Sequence, residues 1–139
     1  MDEVVKALGR TDLFAGLKKG PLERIARATK LLQLPPGQVL IDQGQTMTHM
    51  SIVNAGEAVV TVDGNEVGRV REGDVLGELS LIDQAPATAT VTFVDGGSVW
   101  HLARTGFIPV WNKNREEIST AMLHAVIEKL RATNKIVAS

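Results

Sequence analysis

The sequence predicts a mainly β domain with helices at both ends, and three observations carry that reading. Between Val39 and Leu102, short runs of aliphatic and β-branched residues alternate with turn residues. Outside that stretch, apolar residues recur at helical spacing. Within it, Asp63-Gly64 separates two such runs, and a type I′ hairpin turn needs two residues that tolerate positive φ. Many short strands at this spacing argue a β-sandwich, a jelly roll or a barrel.

The N-terminal helices come first, over residues 1–34. Asp2 to Leu8 forms a short helix stopped by Gly9. Thr11 or Asp12 caps a second turn that carries Leu13, Phe14 and Leu17 on one face. Gly20-Pro21 restarts a helix, with Pro21 at a tolerated first position, and Leu22, Ile25, Ala26 and Thr29 follow on one face. Pro35-Pro36-Gly37 ends the helical region.

The β region spans 35–103. Its runs are Val39 to Ile41, Met50 to Val53, Ala58 to Val62, Glu66 to Val70, Thr88 to Val94 and Ser98 to Leu102. Asn54-Ala55-Gly56, Asp63-Gly64-Asn65, Glu72-Gly73-Asp74 and Asp95-Gly96-Gly97 are the turns between them.

Helix returns over 104–139. Thr105 is placed to cap a short turn with Phe107, Ile108 and Val110. Asn114 is placed to cap a long helix, with Glu116 and Glu117 in its first turn where the helix dipole favours them. No linker or internal repeat divides the chain, so one domain is expected over 1–139.

Composition narrows the function. With 15 Lys+Arg against 16 Asp+Glu, the net charge of −1 argues against a nucleic-acid binder that works by bulk charge. The absence of cysteine removes disulfides, thiolate metal sites and cysteine nucleophiles. No apolar run reaches the ~18 residues of a membrane span, and the N-terminus lacks a signal-peptide layout. A cytoplasmic location is expected.

The most informative stretch is Gly73-Asp74-Val75-Leu76-Gly77-Glu78-Leu79-Ser80-Leu81, followed by Ala85-Pro86-Ala87-Thr88-Ala89-Thr90-Val91. It reads as a short helical turn presenting N–H groups and one carboxylate, then a small-residue strand. The stretch resembles the phosphate-binding cassette of the cyclic-nucleotide-binding domain family. Leu13 to Leu17, Pro36 to Gly44 and Val53 to Val59 resemble that family's opening helix, first strand and first hairpin glycine, in the same order. The resemblance covers about Leu13 to Leu130. It implies a β jelly roll with N-terminal helices, an internal cassette helix and a long C-terminal helix.

The resemblance also implies roles. Glu78 stands where the family's glutamate accepts a hydrogen bond from the ribose 2′-OH. Leu79 and Ser80 stand where backbone N–H groups hold the phosphate, and Gly77 allows close backbone approach. Thr88 stands where a hydroxyl often reaches the ligand, beside Ala89. At the position of the family's arginine, which pairs with the phosphate oxygens, this chain has Ala87. Losing such a buried charge partner costs on the order of 2–5 kcal/mol, a factor of ~30 to several thousand in affinity. Arg69, Arg71 and Arg104 are the basic residues that could reach in instead, and nothing in their spacing recommends any of them.

Two functions follow. One is a non-catalytic regulatory module that senses cAMP or cGMP, with Ile127 or Leu130 of the C-terminal helix covering the base. The other is a degenerate domain that no longer holds nucleotide and acts in interaction or dimerisation. Gly77 and Glu78 favour the first, and Ala87 favours the second. Either would work with an effector protein or as a homodimer through Ile118, Met122, Ala125 and Val126. The long helix is expected to run to about Asn134, and if Ser139 ends the full product there is no room after it for a helix-turn-helix. No cofactor and no enzyme activity are expected. His49, His101 and His124 lack the paired spacing of a jelly-roll metal site, and Trp100 and Trp111 read as packing aromatics.

Overall fold

A computed structural model of the chain describes residues 1–138, the side chains of 129 and 132–138 excepted. Two helices, α1 (Asp2–Gly9) and α2 (Lys19–Ala28), precede the strands. Between them Thr11 does cap a turn: its hydroxyl oxygen accepts from the Phe14 N–H at 3.3 Å and donates to the Leu8 carbonyl at 2.7 Å. Helix α2 begins two residues before Pro21 and ends at Ala28, where Thr29 turns extended (φ −90, ψ 132).

The strands are β1 (Lys30–Leu34), β2 (Gln38–Ile41), β3 (His49–Gly56), β4 (Ala58–Val62), β5 (Asn65–Val70), β6 (Val75–Leu76), β7 (Thr90–Phe93) and β8 (Gly97–Ala103). They form two antiparallel four-stranded sheets, ordered β1-β8-β3-β6 and β2-β7-β4-β5. These are the faces of a jelly roll. The expected N-terminal helical region therefore stops early: Lys30 to Leu34 is a strand, paired from Lys30↔His101 to Leu34↔Gly97. The Asp63-Gly64 turn closes β4 onto β5 with positive φ at both residues, 51° and 83°.

The β1-β8-β3-β6 sheet is covered on both sides, which explains the unbroken buried run Met50 to Val53 in β3. Side chains alternate along a strand. Met50 and Ile52 join Leu102 in a core with the helices, where Leu8, Phe14, Ile25 and Phe107 are fully or almost fully buried. Val53 and Val99 face the other sheet and pack with Ile41, Met47, Val91 and Phe93.

After β8 come α3 (Arg104–Lys113) and α4 (Arg115–Ala138). One expected cap is not used: helix α3 starts at Arg104 with no side-chain cap, so Thr105 lies inside it. Asn114 joins the two helices: its Nδ2 donates to the Val110 carbonyl of α3 at 3.0 Å, and its own carbonyl accepts from the Ile118 N–H of α4 at 3.0 Å. No helix among the described residues is long and apolar enough to cross a membrane.

Candidate functional site

The segment between β6 and β7 is built on Gly77. Its φ of +71° disfavours any side chain, and a Cβ there would lie 2.9 Å from both the His49 carbonyl oxygen and Met47 Cε. Glycine thus lets a 3₁₀ turn, Glu78–Leu81, sit against the end of β3. Leu81 is fully buried in the helical core and anchors the turn.

Ser80 holds the turn from its other side. Its N–H donates to the Gly77 carbonyl at 3.0 Å. Its hydroxyl is within reach of the His49 carbonyl at 2.6 Å and of the Gly77 carbonyl. The N–H and the hydroxyl of Ser80 thus close the scaffold. The turn is only four residues long, too short for the aligned dipoles of a regular helix to sum to much.

Beyond the turn the chain runs back along residues 44–47. Met47 N–H donates to the Ala85 carbonyl at 3.3 Å, Ala87 N–H to the Gln45 carbonyl at 2.8 Å, and Gly44 N–H to the Ala87 carbonyl at 2.8 Å. Ala87 is pinned through both backbone groups, and its methyl packs on the inter-sheet core. Thr88 and Ala89 lie in a bend before β7, which begins at Thr90 rather than at Thr88.

These pieces wall a cavity of about 520 Å³, within the range of small-molecule sites. Ile41, Val60, Val70, Leu76 and Val91 form its apolar floor. Six of the residues expected at the site come to its wall: Gly77, Leu79, Ser80, Ala87, Thr88 and Ala89. Glu78 is half-buried on the same turn but is not among the lining residues. The reading from sequence missed Met47 and Asp83, which also line the cavity; Asp83 follows the turn with no motif to mark it.

No arginine substitutes for the one lacking at position 87 among the described residues. Arg69 pairs with Glu57 at 3.0 Å and Glu66 at 3.2 Å, and these carboxylates raise its pKa. Arg71 reaches Glu57 at 3.6 Å. Arg104 donates from Nε to the Leu81 carbonyl at 3.1 Å, and its backbone N–H donates to the Thr48 carbonyl at 2.8 Å. The first residue of α3 thus holds both the end of the 3₁₀ turn and the residue before β3.

The C-terminal helix is arranged differently from expectation. Ile118, Met122 and Ala125 are buried in the chain's own helical core, so they are not free to pair two copies. Leu123, Val126, Ile127 and Leu130 are exposed instead. Neither Ile127 nor Leu130 lines the cavity.

His49 and His101 stack with ring centroids 4.4 Å apart. Burial lowers both pKa values, and for His101 the neighbouring His49 and Lys30 lower it further. No group of three or more His, Asp or Glu is placed to hold a metal among the described residues.

The family model for the cyclic nucleotide-binding domain matches residues 31–114. A CRP-like cAMP-activated global transcriptional regulator of Mycobacterium tuberculosis is 25% identical over 139 aligned residues, 96% of this chain and 60% of that protein. The chain thus spans less than two thirds of that regulator's length. The N-terminal domain of a transcriptional regulator from Streptomyces coelicolor superposes with a TM-score of 0.79, at 29% identity, covering 94% of both chains. The regulatory subunit of a cAMP-independent protein kinase A from Trypanosoma cruzi, bound to guanosine, superposes with a TM-score of 0.72 at 27% identity, covering 79% of this chain and 40% of that one.

Proposed function

Because the chain belongs to the cyclic nucleotide-binding domain family, we propose that it works as a non-catalytic regulatory module in which occupancy of the cassette cavity is passed to the C-terminal helices. The carrying observation is the bond from Arg104 Nε to the Leu81 carbonyl, 3.1 Å long. It joins the turn that walls the cavity to the start of α3, so a ligand that shifts the turn also shifts the helix. The family supports cAMP or cGMP as ligands, and the guanosine bound by the Trypanosoma cruzi relative supports nucleosides beside them. Glu78, Leu79 and Thr88 are the residues we assign to ligand contact, with Ser80 holding the turn that carries Glu78 and Leu79. The module acts in the cytoplasm without a cofactor.

We further propose a contact with an effector protein or with a second copy of the chain. We assign that contact to the exposed stripe Leu123, Val126, Ile127 and Leu130 of α4. Ala87 favours a second reading, in which this contact is the whole function and no nucleotide binds.

Amide hydrogen exchange with and without millimolar cAMP or cGMP tests the sensor reading. Slower exchange over 77–89 together with a change in α3 is the expected result. Unchanged exchange in both segments with both nucleotides would remove cyclic nucleotides as the ligand and favour the second reading.

A further inference from the structure

We infer that the cassette cavity selects an electrically neutral ligand of nucleoside size and discriminates against the same compound carrying a phosphate. This rests on the reading of the cavity as a ligand site and goes beyond it by naming the ligand's charge.

The cavity's floor is aliphatic, and among the described residues no Lys, Arg or His lines its wall. Asp83, an exposed residue, is the charged residue that does. An anion placed there meets a carboxylate and no cation. Desolvating a phosphate costs heavily unless a counter-charge and hydrogen bonds replace its water.

Several neighbouring groups that could compensate are already engaged. The Arg69, Arg71 and Arg104 guanidinium groups are held by Glu57, Glu66 and the Leu81 carbonyl. The Ser80 N–H and hydroxyl are spent on Gly77 and His49. The Ala87 N–H, at the position where the phosphate contact is expected, donates to the Gln45 carbonyl at 2.8 Å.

A neutral nucleoside meets none of these costs. Its base has an apolar floor on which to lie, and its sugar hydroxyls are donors. Asp83 is an acceptor at the wall, and the exposed Thr88 hydroxyl offers both donor and acceptor capacity. The same carboxylate that repels a phosphate therefore recognises the unphosphorylated sugar.

The test is calorimetric titration of the whole chain with adenosine, guanosine, cAMP and cGMP at one ionic strength, repeated with Asp83→Asn. At least one nucleoside is expected to bind about 10-fold or more tighter than its cyclic phosphate. Asp83→Asn is expected to shrink that ratio by weakening the nucleoside and relieving the phosphate. Cyclic nucleotides binding as tightly as the nucleosides would overturn the ligand class and leave the cavity standing as a ligand site. Silence from all four compounds would overturn the inference together with the ligand-site reading beneath it. A ratio unaltered by Asp83→Asn would remove Asp83 from the selection and overturn the charge argument.

Discussion

Arg104 Nε donates to the carbonyl oxygen of Leu81 at 3.1 Å, so one side chain from α3 closes the end of the cassette turn. The bond is charge-assisted and partly buried, and the buried Leu81 is the turn's anchor in the helical core. Arg104→Ala is expected to cost about 1–2 kcal/mol by leaving that carbonyl short of a donor. A lower urea midpoint, with faster hydrogen exchange confined to residues 78–83 and the start of α3, is the expected outcome. Uniformly faster exchange across both sheets would mean that the residue holds the fold as a whole and does not couple these two elements.

Gly77→Ala is expected to destabilise by about 1–3 kcal/mol, because the position is left-handed and has no space for a methyl group. The added Cβ would sit 2.9 Å from a backbone oxygen that cannot swing away. Gly64 also has positive φ, at 83°, but a Cβ there meets nothing within 4 Å. Gly64→Ala is therefore expected to cost less. Thermal melts of the two variants side by side check the order.

The histidine pair sets an acid limit. Burial holds both His49 and His101 below the ordinary 6.5, and each faces the other's ring. Well above 6.5 both imidazoles are neutral in folded and unfolded chains, so they add no pH dependence. As pH falls below 6.5 the unfolded chain takes up protons first, and stability drops until the lowered folded-state values are passed. Unfolding free energy measured from pH 8 to 5 is expected to be flatter for a variant with both His49→Gln and His101→Gln. An identical acid-side slope would place the titration elsewhere.

Much of the fold was legible because local chemistry and tertiary context agreed. Asp63-Gly64 marks its hairpin through a backbone need that few residue pairs meet, and Met50 to Val53 reads as a strand, which the structure buries on both faces. Lys30 to Leu34 was not legible: leucines serve helix and strand alike, and what makes this segment a strand is its pairing with β8, distant in sequence. The site shows the same division. Motif order brought Gly77, Leu79, Ala87 and Thr88 to one region, and the structure places them on one cavity wall. Sequence could not show that Ser80 spends its N–H and hydroxyl on the scaffold, since its partner His49 lies 31 residues away. Nor could periodicity decide which surface covers Ile118, Met122 and Ala125. An apolar helix face fits a chain's own core and a second copy equally well.

The central claim is that the cassette cavity is built and that Ala87 leaves it without the arginine that would pair with a phosphate. The most direct measurement is the affinity of cAMP and cGMP for the unaltered chain and for Ala87→Arg, read by calorimetry at the same ionic strength. Both Ala87 backbone groups are pinned and its side chain lines the cavity, so the substitution adds a guanidinium without rebuilding the loop. A gain of ~30-fold to several thousand-fold for at least one cyclic nucleotide is the predicted result. Equal affinity in a variant that melts like the unaltered chain would contradict the account.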